Sequence, residues 1–505
     1  MTGDRLKLNR STTIILIAVS LLTLRMALPW IKAPLGYYGY DYGFYVFSAN
    51  THSYPDALHK LTSAYQSYSN PLLAFLGSWG KEPLLTSIFV GGFIFLLYLL
   101  YANAEVANKY SGKWALLIAS SSLPLFALYT EFLFKQLFGG VLFLLGFLTF
   151  QQKKYWQSLS LFFLACVFHK TTLFLTCLFF LHIAAVWILK KVFPTKPSLF
   201  SAFVVCGAAL AIVGKVISES IAVSNTYVFD GILLNQYPLI VVYGLLPLSV
   251  PILIAAKQKH SHAQLVLISA SITLIFWQLL QNMFYRRTAI FLDFALILLS
   301  AEIVSSISNR LPKKQLVLLL IAFLLFYSAA LYQTITLSPL ITTQEAQEIR
   351  SVSQQNEHAN IIALSAEDAP WVLAFTYHNR LLAPGLFEDT LTKKQWEEVW
   401  RGDFSPIYSL TFNNENPTLL YTKSYTGRPP LETAHVSQNF KALLTTPSNF
   451  LPKWARQRLR KRFHTTTRTA STIATPLGIP ITCWRTIWVW SVSKKYNCTY
   501  QYDNR

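Results

Sequence analysis

Leu84-Leu85-Thr86-Ser87-Ile88-Phe89-Val90-Gly91-Gly92-Phe93-Ile94-Phe95-Leu96-Leu97-Tyr98-Leu99-Leu100-Tyr101-Ala102 carries no charged residue. A helix needs about 20 such residues, at about 1.5 Å each, to cross the hydrocarbon core of a bilayer. The two glycines inside the run do not disqualify it, because helices in lipid tolerate them. Working outward, comparable runs fall at 12–30, 114–129, 134–150, 156–169, 171–189, 197–217, 237–256, 263–282, 288–306 and 314–334, which with 84–102 makes eleven candidate spans. The first is too long for a cleaved leader, and Trp30-Ile31-Lys32 offers no small-residue cleavage site.

Composition agrees. The chain is 53% hydrophobic and 13% charged, where soluble domains carry about 25% charged residues. The deficit lies in 1–335, which holds ten acidic residues; from 336 onward polarity is ordinary. The fold class expected is an all-α polytopic membrane domain of about 11 transmembrane helices plus a small C-terminal α/β soluble domain. A soluble globular enzyme is excluded. The domains expected are 1–335 with a first outer loop at 31–83, an extracytoplasmic α/β domain at 336–435, and a basic, poorly ordered tail at 436–505.

The net charge of +20 suggests nucleic acid at first sight, but much of the excess sits in short loops between apolar runs, which is a topology signal. With the N-terminus inside, the inner segments hold fifteen basic residues: Arg5, Lys7, Arg10, Lys109, Lys113, Lys153, Lys154, Lys190, Lys191, Lys196, Lys257, Lys259, Arg310, Lys313 and Lys314. The outer segments hold eight: Lys32, Lys60, Lys81, Lys135, Lys170, Lys215, Arg286 and Arg287. The asymmetry favours a cytoplasmic N-terminus in the plasma (inner) membrane. An odd span count then puts the C-terminal domain outside; a miscount by one reverses it, and the basic stretch Arg456 to Arg462 argues mildly for that alternative.

In the C-terminal region, 361–365, 380–383 and 418–421 read as short buried strands. Asp368 is a candidate N-cap, and Thr392 caps an amphipathic helix with Trp396, Val399 and Trp400 on one face. Cys166, Cys177 and Cys206 lie in apolar runs as small hydrophobes. Cys483 and Cys498 lie in the tail, where nothing in the spacing compels a pair. No Cys/His metal pattern, Walker A or Rossmann fingerprint is present.

Candidate chemistry centres on Gly36-Tyr37-Tyr38-Gly39-Tyr40-Asp41-Tyr42-Gly43-Phe44-Tyr45, just after the first span. Aromatic rings stack on sugars, glycines permit close backbone approach, and Asp41 supplies a carboxylate among them. The competing account is an interfacial aromatic belt with an incidental acid. Lys135, His169, Lys170, Arg286 and Arg287 fall at outer helix ends, at the depth of a lipid phosphate; snorkelling anchors are the alternative for the arginines and helix packing for His169. Asp293, seven residues after Arg286, is expected to pair with it.

A first span, a long outer loop with an acid among aromatics, many further spans and an exported C-terminal domain resemble the GT-C glycosyltransferases. That resemblance implies a polyprenyl-phosphate-linked sugar donor, a glycan, lipid or protein acceptor, and Asp41 as the catalytic acid of the first loop, flanked by Tyr40 and Tyr42. It also implies an amphipathic helix along the membrane at 54–66. Asp41-Tyr42-Gly43 lacks the paired acids of many members, so no cofactor is assigned and a divalent cation stays open as an alternative. A second resemblance rests on Glu131-Phe132-Leu133-Phe134-Lys135-Gln136, then Phe168-His169-Lys170-Thr171-Thr172-Leu173. These are similar to motifs of EpsG/Wzy-type polysaccharide polymerases, with Lys135 in place of arginine and Thr171 in place of serine. Polymerases of this type also take polyprenyl-linked glycans, but they usually lack a large exported C-terminal domain, which favours the first family. Both imply glycosyl transfer at the outer face. The partners expected are membrane lipids besides donor and acceptor, with no nucleic acid, and Glu131 is the next candidate acid after Asp41. A lipid-linked glycan transporter ranks lower, because only Asp293 and Glu302 are acids well inside spans and no internal repeat is visible.

Overall fold

The computed structural model describes residues 10–51, 82–168, 170–221, 242–255, 260–282, 285–308, 310, 312–376, 379–384, 391–411, 416–430, 433–443, 470–474, 480–484 and 497–499. The expected surface helix at 54–66 and the basic stretch at 456–462 lie outside these residues. Two compact units are present, Met1–Leu443 and Leu444–Arg505.

In the first unit, α1 (Arg10–Lys32) leads through a short 3₁₀ turn, Leu35–Tyr38, into α2 (Tyr40–Thr51). Then come α3 (Glu82–Ala107), α4 (Gly112–Ser121), α5 (Leu123–Thr130), α6 (Phe134–Gln151), α7 (Tyr155–Phe168), α8 (Lys170–Val192), α9 (Lys196–Ile221), α10 (Ser249–Ala255), α11 (His262–Leu279), α12 (Tyr285–Ser308) and α13 (Lys313–Thr336). Seven of these helices are long and apolar enough to span a membrane: α1, α3, α6, α8, α9, α11 and α12. The protein is an integral membrane protein.

The expected count of about 11 spans is not reproduced. Among the described residues helix is found in each apolar run that was read, but α7 and α10 are short, and the described apolar stretch of α13 is Leu320–Thr336. The expected span at 114–129 is broken at Ser122, whose backbone is extended (φ −65°, ψ 131°) and whose hydroxyl caps the Leu125 N–H. Hydropathy registers apolar length and cannot register a break that a capped serine makes within it.

The break is held by a buried polar cluster. Arg25, in the middle of α1, donates to the carbonyls of Ser120 (3.0 Å) and Ser122 (2.7 Å) and to the Thr334 hydroxyl of α13 (3.0 Å). The Ser122 hydroxyl donates to Asp293 of α12. The Ser120 carbonyl, freed at the end of α4, needs a donor in lipid, and Arg25 supplies it while also donating to the N-cap carbonyl of α5. Among the described residues Ser122 is the hydrogen-bond partner of Asp293; the expected Arg286–Asp293 pair rests on an Arg286 side chain that lies outside them. Helix α12 is buried over most of its length and forms the middle of the bundle.

The α/β region is α14 (Thr343–Gln355), β1 (Asn360–Ala363), α15 (Ala369–Phe375), β2 (Arg380–Leu382), α16 (Lys393–Trp400), α17 (Ser405–Thr411), β3 (Thr418–Tyr421), β4 (Thr433–His435) and β5 (Phe440–Leu443). The sheet order is β2-β1-β3-β5-β4, with β2 and β3 parallel to β1 and the β5 and β4 pairings antiparallel. All three expected strands are present, and the sheet continues to Leu443, past the expected boundary at 435. Thr342 and Thr392 each form a capping box, with Glu345 and Gln395. Trp396 and Val399 are buried and Trp400 half-buried on the face predicted. Asp368 precedes α15 but makes no side-chain cap. Burial pushes its carboxyl up to about 6, against the pull of the Ser424 hydroxyl and the Lys423 ammonium.

The second unit contains a three-stranded antiparallel sheet of β6 (Ala470–Ala474), β7 (Pro480–Trp484) and β8 (Asn497–Thr499), in that order. Its register sets Cys483 opposite Cys498.

Candidate functional site

Asp41 stands in the first turn of α2 and is 6% exposed. A carboxylate there is favoured by the unsatisfied N–H groups and positive dipole end of the helix. Arg287, in the first turn of α12, places Nη1 3.8 Å from Asp41 Oδ2. That separation is within coulombic range but beyond hydrogen-bond length. The two halves of the pair lie 246 residues apart in the chain.

The aromatic residues around Asp41 mainly pack. Tyr42 is 1% exposed, lies 4.3 Å from the ring of Phe132, and exchanges a 3.0 Å hydrogen bond with Thr86 of α3. Phe132 in turn stacks on Phe89 at 3.9 Å. Tyr37, Tyr38 and Tyr45 are buried too, and Tyr40 is the half-buried member of the group. A sugar-stacking platform of several rings is therefore not what the fold presents; of Tyr40 and Tyr42, only Tyr40 retains exposed surface.

Two glycines make this packing feasible. A Cβ at Gly39 would stand 2.6 Å from Phe132 Cβ and 2.7 Å from the Glu131 carbonyl oxygen. A Cβ at Gly43 would stand 2.6 Å from the carbonyl carbon and oxygen of Pro370. The first contact presses the Asp41 turn against Glu131. The second presses α2 against α15 of the α/β region. Trp371 of α15 adds an edge contact to Tyr37 (5.2 Å) and a tilted one to Tyr42 (5.7 Å), and the Leu340 N–H donates to the Tyr37 carbonyl. The α/β region thus forms one wall behind the helix that carries Asp41.

Glu131 follows α5 and is buried; Phe132 takes a left-handed φ of 52°, which turns the chain sharply into α6. Lys135 and Gln136 occupy the first turn of α6, both buried. One turn on, a Cβ at Gly139 would lie 2.5 Å from the Thr172 hydroxyl, so α6 and the start of α8 are in close contact. The two motif halves, Glu131 to Gln136 and Phe168 to Leu173, are brought together by that approach. The carboxamide of Gln136 and the hydroxyl of Thr172 are buried with no hydrogen-bond partner among the described residues. Gly140 of α6 meets Phe294 of α12. Both helices run the same way, so Lys135 and Arg287 lie within about a turn of the same level.

Asp41, Glu131, Lys135 and Arg287 therefore gather at one end of the bundle. His169 lies outside the described residues, as do the side chains of Lys170 and Arg286. Sequence reasoning assigned no role to Gln136 or Thr172, although both stood inside quoted motifs. It missed Arg25 altogether, where an arginine in the middle of an apolar run was the available signal.

A buried bundle with acid, base and amide side chains collected at one end, and an α/β region packed beside them, defines an integral membrane protein with a polar site at the bundle's end. The chain belongs to the EpsG family, whose model matches residues 12–342. No curated protein matches the chain. The match falls on the second of the two resemblances, and the C-terminal domain that favoured the GT-C family lies beyond the matched residues.

Proposed function

We propose that this protein is a membrane polysaccharide polymerase that transfers a glycan from a polyprenyl-linked donor at the outer face of the membrane. The observation that carries the reading is the apposition of Asp41 and Arg287 beside the two EpsG-like motif halves. Family membership supports the coarse activity; the residue roles are inferred from chemistry.

In the reaction, the acceptor hydroxyl oxygen bonds to the anomeric carbon as that carbon's bond to the phosphate oxygen breaks. Asp41 takes the hydroxyl proton as general base. The electron pair of the broken bond leaves on the lipid phosphate, where the Arg287 guanidinium and the Lys135 ammonium offset the growing negative charge. Before substrate arrives, Arg287 lies against Asp41; an incoming phosphate competes for it and releases the carboxylate toward the acceptor. The Gln136 carboxamide and Thr172 hydroxyl supply polar groups for the sugar. Transfer of a single sugar, as in the GT-C resemblance, uses the same groups and differs in product length.

Arg287→Ala is expected to weaken use of the lipid-linked donor by roughly tenfold or more, the size of one charge-assisted contact. The measurement is donor-concentration dependence of polymer formed in membranes, normalised to protein level. Unchanged donor dependence would leave Arg287 as an interfacial anchor.

The orientation is tested in a background without native cysteines. Cysteine at Glu357 is expected to react with a membrane-impermeant maleimide in intact cells, and cysteine at Ser261 only after lysis; both positions are exposed. Protection of position 357 with labelling of position 261 would invert the assignment and move the Asp41 end to the cytoplasm.

A further inference from the structure

We propose that the end of the bundle opposite Asp41 holds a second site, for a lipid whose phosphate-linked headgroup carries O–H or N–H donors. Arg287 begins α12 and Glu302 comes fifteen residues later, about 22 Å along the helix. There the ends of α3, α6 and α12 and the start of α11 enclose a cavity of about 200 Å³. Its walls include Gln151, Lys153, His262 and Glu302.

The polar groups in this cavity include a carboxylate and one buried acceptor without a donor. Glu302 is 6% exposed, and one of its oxygens accepts from Gln264 Nε2 at 2.7 Å. Its second oxygen accepts no hydrogen bond among the described residues. Gln151 donates to Asn103 Oδ1 at 3.4 Å, while its own buried carbonyl oxygen has no partner among the described residues. The Gln151 oxygen, a buried acceptor without a partner beside a carboxylate, calls for a ligand that carries donors, because such an acceptor is costly. Lys153 stands in an exposed turn at a left-handed φ of 63°, and Lys190 lies near His262. Cations beside a bilayer suit a phosphate.

Beneath the polar cavity lies a smaller one of about 40 Å³, lined by apolar side chains. The two share Phe147, Leu267 and Leu298 as walls. A chamber with polar groups at its mouth, set against an apolar one that shares its walls, fits an amphiphile better than a free phosphate or a free sugar. The donor-bearing headgroup could be ethanolamine or glycerol of a bilayer phospholipid, or a sugar on a polyprenyl phosphate. The inference stands independently of the roles given to Asp41 and Arg287.

The test is native mass spectrometry of the full-length protein in detergent. It is titrated in turn with phosphatidylethanolamine, phosphatidylglycerol, a polyprenyl-phosphate glucose and phosphatidylcholine. The last has the phosphate and the tails but no headgroup donor. At least one of the first three is expected to be retained about tenfold more tightly than phosphatidylcholine, and the best of them names the source. Lys153→Ala is expected to weaken retention of that lipid by about tenfold. Glu302→Gln is expected to shrink its margin over phosphatidylcholine. Lys153→Ala sits in an exposed turn and carries the test if Glu302→Gln cannot be purified. Equal retention of phosphatidylcholine, or retention indistinguishable between wild type and Lys153→Ala, overturns the proposal.

Discussion

Asp41→Asn is expected to lower polymer formation by about 10²–10⁴-fold, the usual contribution of a general base, while the protein remains inserted and abundant. Asparagine keeps the shape of the side chain and its ability to stand at a helix N-terminus, where it is nearly as well tolerated as aspartate. It cannot take a proton from a hydroxyl. The substitution also removes the charge that faces Arg287 at 3.8 Å, so protein level is measured beside activity. Chemistry and structure are thereby separated at one atom. The assay is polymer made by membranes supplied with a polyprenyl-linked glycan, normalised to protein level. Near-normal polymer from Asp41→Asn would falsify the base assignment and pass it to Glu131, which is buried beside the Asp41 turn. A wild-type protein that moves lipid-linked glycan across the bilayer without lengthening it would instead remove the polymerase reading itself.

The second large effect concerns stability. Arg25→Met is expected to destabilise the folded protein by about 3–5 kcal/mol, the cost of removing one partner from a buried charged cluster. Methionine fills much of the volume but donates nothing to the Ser120 and Ser122 carbonyls, and the Ser120 carbonyl, freed at the end of α4, then lies unsatisfied at a helix break inside the membrane. Asp293, left facing the Ser122 hydroxyl, loses the nearby guanidinium as well. The measurement is unfolding of purified protein in mixed micelles, followed by tryptophan fluorescence. The double variant Arg25→Met with Asp293→Leu is expected to recover part of the loss, since removing both charges costs less than stranding one. A single variant as stable as wild type would mean that water or lipid already serves those carbonyls.

These two expectations mark the two kinds of information in this chain. The membrane class was legible because it depends on the length and purity of apolar runs, such as 84–102, and those are local. The three strands of the α/β region were legible for the same reason: 361–365, 380–383 and 418–421 are short apolar segments between turn residues. The Thr392 cap needed only Gln395 three residues on. Asp41 was legible as a candidate because a carboxylate among aromatics after an apolar run is unusual wherever the chain goes next. The resemblance on Glu131 to Gln136 and Phe168 to Leu173 led to the family whose model matches the chain.

What the tertiary structure decided is which of these local features meet. Asp41 faces Arg287 because α2 and α12 arrive at the same end of the bundle, an outcome of packing that no window of sequence contains. The two motif halves join through Gly139 and Thr172, a contact set by helix approach and not by spacing. The break at Ser122 exists because Arg25 and Asp293, far apart in the chain, supply its hydrogen bonds, so a hydropathy count over 114–129 read one span where the fold has two helices. Tyr42 became a packing residue because Phe132 and Trp371 close over it. Apolar length and turn chemistry are properties of neighbours along the chain; the pairing of charges and the satisfaction of a broken helix are properties of neighbours in space.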